Sequence, residues 1–275
     1  MFGKAGASVI PLVNLRSRQL FLIFTGNAHR LMMNSTRFLQ ITGIAAHNIL
    51  IFRDPYRAGY QQGISEAVPS LDSLVEHIRE EISLSFSHVT DVFSIGTSAG
   101  GCPAIYCGHL VDSKAIWCFG CRICEPTTVR DRDAIIKGII FRALGKQPPK
   151  TIGPQTFTRY EIARIRETLT HPEIREQLWK VSEDPQTVLD QEMLLKLVHL
   201  VRNDSSKTAL YLYYSPQNRV DEWVAHAFAG IANVRFAPVH SKSDTCGIFG
   251  RASSHEVVRI LYEEGLLGGV FREYI

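Results

Sequence analysis

Gly96-Thr97-Ser98-Ala99-Gly100, fed by the run Val92-Phe-Ser-Ile95, is where residue types and spacing in this 275-residue chain point most directly to chemistry. A serine at the tip of a sharp strand-to-helix turn must hold strained backbone, and the turn closes only if its neighbours lack bulk. Gly96, Ala99, Gly100 and Gly101 lack it, and residues 104–111 are apolar enough to begin a buried helix. A serine hydroxyl is a poor nucleophile near neutral pH. It needs a neutral imidazole to take its proton and a carboxylate to fix the tautomer of that ring. Without such partners the same glycines form a structural turn or one that contacts phosphate.

Acids and histidines near the end of the chain are the candidates for those partners. Asp221 opens an expected helix over 222–228, where it either reaches the serine or serves only as the helix N-cap, with Glu222 in reserve. His240 ends the last expected strand, whereas His255 follows the loop 241–254 and starts a helix over 256–265. His226 lies in the apolar run 224–228 and reads as a core or surface helix residue.

Other clusters are weaker. Cys118-x-x-Cys121-x-x-Cys124 has a spacing at which thiolates can share a tetrahedral ion, but Trp117-Cys118-Phe119 reads as buried strand and no second ligand pair follows at zinc-ribbon spacing. We therefore expect no metal, and nothing in the sequence calls for an organic cofactor. Arg53, Tyr56, Arg57 and Tyr60 offer two guanidinium groups and two rings to an anionic or sugar-like ligand, and loop salt bridges explain them equally well.

The elements that must position these residues alternate. Short apolar runs at 20–24, 47–52, 92–97, 115–120, 209–214 and 233–239 read as strands, with helices expected over 30–40 and 71–86. Strands alternating with helices imply an α/β fold, a mostly parallel sheet covered by helices on both faces. From about 122 to 206 the rhythm stops, and helices are expected over 160–179 and 187–201. We expect one domain over 1–275, with 122–206 a helical lid or cap inserted in it, or else an ordinary helical layer. A net charge of +3 is too small to imply nucleic acid. Pro11, Asn14, Arg16 and Arg18 interrupt the first apolar stretch, which argues against a membrane span or secretory leader and makes a cytoplasmic location the default. Six cysteines in a chain this long do not make a disulfide scaffold.

From about Leu20 to the C-terminus, the order of parts resembles the α/β-hydrolase superfamily: a Gly96-x-Ser98-x-Gly100 elbow, an acid after the strand 209–214 and a histidine after the final strand. The resemblance implies a Ser98, Asp221, His255 triad, because His255 lies beyond the last strand and just before the closing helix. The usual acid position falls near Asn218, a departure from the pattern. It also implies an oxyanion hole built from the amide of Ala99 and one from Asn27 or Ala28, in the glycine-containing loop after the first of these strands. That loop lacks the His-Gly-Gly run of many lipases and esterases. The implied activity is hydrolysis of an ester or thioester, on a small-molecule or glycan-linked acyl substrate. Transfer of the acyl group to another acceptor, or a binding protein that has lost turnover, are the alternatives.

Overall fold

The structure, a computed structural model, describes residues 8–27, 29–123, 189–203, 208–240 and 257–275, together with 138, 141, 145, 167 and 171–174. Elements are numbered over those residues. The expected strands form as β2 (Gln19–Phe24), β3 (Asn48–Phe52), β4 (Asp91–Thr97), β5 (Ala115–Phe119), β6 (Ala209–Tyr214) and β7 (Val234–Pro238). They lie in the order β3-β2-β4-β5-β6-β7 and all run parallel. Their C-terminal ends therefore share one edge, where the loops of an open α/β sheet gather functional groups.

An additional strand, β1 (Val9–Leu12), pairs antiparallel with β3 and closes that side of the sheet. Pro11 interrupts its apolar pattern but is tolerated because it lies exposed on an edge strand.

Alternate residues along each strand feed two separate cores, as the two-residue period of a strand requires. One face carries Leu20, Leu22, Leu50, Cys118 and Leu212 and is covered by α2 (Leu71–Ser85), α3 (Gly101–Leu110), α4 (Gln191–Asn203) and α5 (Arg219–Ala227). The other carries Phe21, Ile23, Phe93, Trp117 and Phe119 under α1 (Ser35–Ile41) and α6 (Val257–Glu263). On that second face Trp117 stacks on Tyr211 at 5.8 Å and meets Phe271 edge-on at 4.9 Å.

Three helices begin well away from the expected residue. The helix expected over 30–40 begins only at Ser35, because the Asn34 side chain accepts from the Arg37 amide and caps it. The helix expected from 187 begins at Gln191, with the Asp190 side chain accepting from the Met193 amide at 2.9 Å. The one expected over 222–228 starts earlier, at Arg219. Most of 160–179 lies outside the described residues. No helix among the described residues is long and apolar enough to cross a membrane.

Candidate active site

Ser98 sits directly after β4 and has φ 53°, the left-handed region that side-chain-bearing residues avoid. Holding it there costs about 1–3 kcal/mol, so the surroundings must enforce the turn. They do so by close packing. A Cβ on Gly96 would lie 2.3 Å from the Gly100 carbonyl oxygen and 2.6 Å from Ala104 Cβ, and one on Gly100 would lie 2.2 Å from the Phe24 carbonyl oxygen. A Cβ on Gly101 would fall 2.4 Å from Cys121 Sγ. Further along, Ser94 Oγ donates to the Ala104 carbonyl at 2.9 Å and ties β4 to α3. The Arg122 amide donates to the Ser98 carbonyl at 3.0 Å. Ser98 itself is 5 % exposed.

The loop after β2 comes to the same point. A Cβ on Gly26 would stand 3.2 Å from Ser98 Cβ and 3.8 Å from its Oγ, so glycine permits the loop to lie against the serine. Its main-chain donors are partly used. Thr25 donates to the Phe52 carbonyl at 3.2 Å, Gly26 to Arg30 at 3.3 Å and His29 to Gly26 at 2.8 Å. Thr97 Oγ1 also donates to the Arg30 carbonyl, at 3.3 Å. The amide of Asn27 stands between these committed groups, and that of Ala99 is in the first turn after the serine. Ala28 lies outside the described residues.

On the other side of Ser98, the strands β5 and β6 deliver Cys121, Arg122, Asn218 and Asp221. Cys121 is buried against Gly101, and its thiol is held well above the usual range by its hydrogen bond to Cys118, by burial, and by the charge of Asp221. Asp221 is 1 % exposed, in the first turn of α5.

It is not the N-cap. Asn218 holds that position, its Oδ1 accepting from the amides of Val220 at 3.0 Å and Asp221 at 3.1 Å. Asn218 therefore occupies the usual acid position as a helix cap, and Asp221 remains the buried carboxylate. Glu222 is half-buried beside it.

His240 is exposed just past β7, and His226 is exposed on α5. His255 lies outside the described residues, two positions before α6 begins.

The arginine and tyrosine loop after β3 differs from its expected role. Tyr60 is fully buried, its hydroxyl 2.8 Å from the Phe52 carbonyl and 3.0 Å from that of Thr25, and burial pushes its pKa far up. It braces the ends of β2 and β3 and offers no ring to a ligand. Asp54 curls the loop by accepting from the amides of Tyr56, Ala58 and Tyr60 at 2.6–2.9 Å. Only Tyr56 and Arg57 face solvent, with Arg53 half-buried.

Cys118 and Cys121 are buried free thiols, and no group of three or more metal-binding side chains forms among the described residues. Cys124 lies outside them. Two positions that shape the site leave no mark in the sequence, since Arg30 and Arg122 act on it through main-chain atoms.

A parallel sheet with helices on both faces and a strained serine on the turn between strand and helix is the α/β-hydrolase fold. Solved structures of similar form span the whole chain. A carboxylesterase of the ammonia-oxidizing thaumarchaeon Nitrososphaera gargenis superposes with a TM-score of 0.51 at 14 % identity, over 99 % of this chain and 100 % of that one. A protein described as a lipase, from Acinetobacter baumannii, does so with a TM-score of 0.50 at 13 % identity, over 100 % and 89 %. No protein-family model matches the sequence. No curated protein matches it.

Proposed function

We propose that this protein is a serine hydrolase that cleaves an ester or thioester through an acyl-enzyme on Ser98. The observation that carries this reading is the left-handed backbone of Ser98 at the shared C-terminal edge of the strands, with the Gly26 loop against it. Strain at this serine, enforced by three tight glycine contacts, supports a role for the orientation of that hydroxyl. The esterase and lipase character of the structural neighbours agrees with the assignment.

In this scheme Ser98 Oγ attacks the acyl carbonyl while His255 takes its proton. The amides of Ala99 and of Asn27 or Ala28 hold the negative oxygen. Collapse of the intermediate returns that proton from His255 to the departing alcohol or thiol. Water, deprotonated by the same ring, then releases the acid and restores Ser98. Asp221 fixes the tautomer of the ring.

Residues 124–189 act as a cap over this edge, with α4, later in the expected 122–206 insertion, packed on the sheet face instead. Ile123 and Asp190 support that part of the scheme, because the Asp190 amide donates to the Ile123 carbonyl at 2.8 Å. The chain thus leaves and returns at one point, at the residue directly after the Arg122 whose amide binds Ser98, and Gln61 Nε2 pins the return by donating to Asp190 Oδ2 at 3.0 Å.

The test is labelling with a fluorophosphonate probe alongside turnover of a reactive aryl ester. Ser98→Ala should abolish labelling and lower turnover by about three to six orders of magnitude. Activity should rise with pH through an apparent pKa of about 6–7, because only the neutral imidazole accepts the proton. His255→Ala should remove it while His240→Ala keeps the shape of the profile. A Ser98→Ala protein with wild-type turnover overturns the proposal.

A further inference from the structure

We propose that the opposite edge of the sheet, at the N-terminal ends of β2, β3 and β4, binds a phosphoryl group through Arg16 and Arg18. A cavity of about 390 Å³ opens there, lined by Arg16, Ser17, Arg18, Gln19, His47 and Asp91 among others. That is within the size range of small-ligand sites, roughly 300–1,000 Å³. Ser98 follows the far end of β4, so this cavity is no part of the site described above.

The cavity is framed before any ligand arrives. The Asn14 amide donates to Asn48 Oδ1 at 2.7 Å, Asn14 Nδ2 donates to the Ala46 carbonyl at 2.7 Å, and Asn48 Nδ2 donates to the carbonyls of Ser17 and Gln19 at 2.9 and 3.0 Å. These bonds fix the turn that carries both arginines against the start of β3.

The charges within the frame select an anion. Arg16 is exposed, and its guanidinium makes no hydrogen bond or ion pair among the described residues. Arg18 is oriented by one bond, from Nη1 to the His88 carbonyl at 2.8 Å, which leaves its other donors to the cavity. The carboxylate on the wall, Asp91, is already matched by Lys114 at 2.5 Å. Two positive charges two residues apart therefore stand without a local counterion, the arrangement that guanidinium groups use to hold phosphoryl oxygens.

Two neutral groups add shape. Ser17 Oγ donates to the Gln19 carbonyl at 3.4 Å, accepts from the Gln19 amide at 3.1 Å and lies 2.9 Å from His47 Nδ1, which ties the hydroxyl to the ring. Gln19 Nε2 donates to the Tyr274 carbonyl at 2.6 Å, which fixes the amide and leaves Oε1 as a buried acceptor with no partner among the described residues.

Calorimetric titration of the full chain at low ionic strength tests this, with glycerol 1-phosphate, inorganic phosphate and glycerol as soluble probes. Vesicles of phosphatidylcholine with and without phosphatidic acid distinguish a lipid headgroup from a free ester. Saturable binding of glycerol 1-phosphate and of inorganic phosphate is expected, with no binding of glycerol. Arg16→Ala should weaken it at least tenfold, and Arg16→Glu should abolish it; the side chain removed has no described contact to lose. Ser98→Ala should bind as wild type, so failure of the hydrolase reading leaves this result standing. Binding that Arg16→Glu leaves intact, or no saturable binding to any phosphate probe or phosphatidic acid vesicle, overturns the proposal.

Discussion

Asn218 commits its side-chain oxygen to the amides of Val220 and Asp221, so the only groups it still presents are hydrogens on Nδ2. A donor in that place cannot accept the Nδ1 proton of a catalytic imidazole, and the carboxylate that can is Asp221, within the first turn of the same helix. The two residues should therefore separate by assay. Asn218→Ala should lower stability by about 1 kcal/mol through loss of the cap, read as a shift in the thermal midpoint. Asp221→Asn should lower kcat on an aryl ester by about two to four orders of magnitude, since the ring loses the partner that sets its tautomer. If Asp221→Asn is fully active and Asn218→Ala is inactive though folded, the roles are reversed. The exchange between these positions was not legible from the residues alone. Asp and Asn are almost equally good N-caps, and only the backbone directions at 218 decide which one the helix uses.

At the level of elements, the elbow depends on space that only glycine leaves. Gly100→Ala should abolish soluble folded protein, because its Cβ would meet the Phe24 carbonyl oxygen at 2.2 Å and its carbon at 2.6 Å, both main-chain atoms of the adjacent strand. Gly269→Ala, with nothing within 4 Å of the new Cβ, should fold as wild type. Circular dichroism melts of the two variants read the difference, and a normal melt for Gly100→Ala would contradict this account of the turn.

The adjoining ends of the 124–189 excursion allow a second experiment: a short glycine-serine linker from Ile123 to Asp190 should leave the sheet folded. Preference among acyl chains should then change more than the rate on a small aryl ester. Unchanged preference in the folded variant would reduce the excursion to an ordinary helical layer.

The strands β2 to β5 were readable because each is a short run largely buried on both faces, and β6, buried only at Leu210 and Leu212, occurs over the residues expected for it. The strand β1 was not, since Pro11 hides the two-residue period of a strand that needs only one buried residue, Ile10. Tyr60 read as a ligand-facing ring because position in a loop says nothing of burial; the pairing of β2 with β3 makes it a brace.

Across the whole molecule, the two faces of the sheet are completed by different parts of the chain. The face over Leu20 and Leu22 receives α2 and α3 soon after β2 is made, whereas the other face has only α1 until α6, Phe271 and Tyr274 close over Phe93 and Trp117. Gln19 at the start of β2 binds the Tyr274 carbonyl across a sequence separation of 255 residues. During synthesis, which proceeds at about 5–20 residues per second, the part of the aromatic face beyond α1 therefore stays uncovered until residues 257–274 are made, and Phe93 and Trp117 remain exposed together until then.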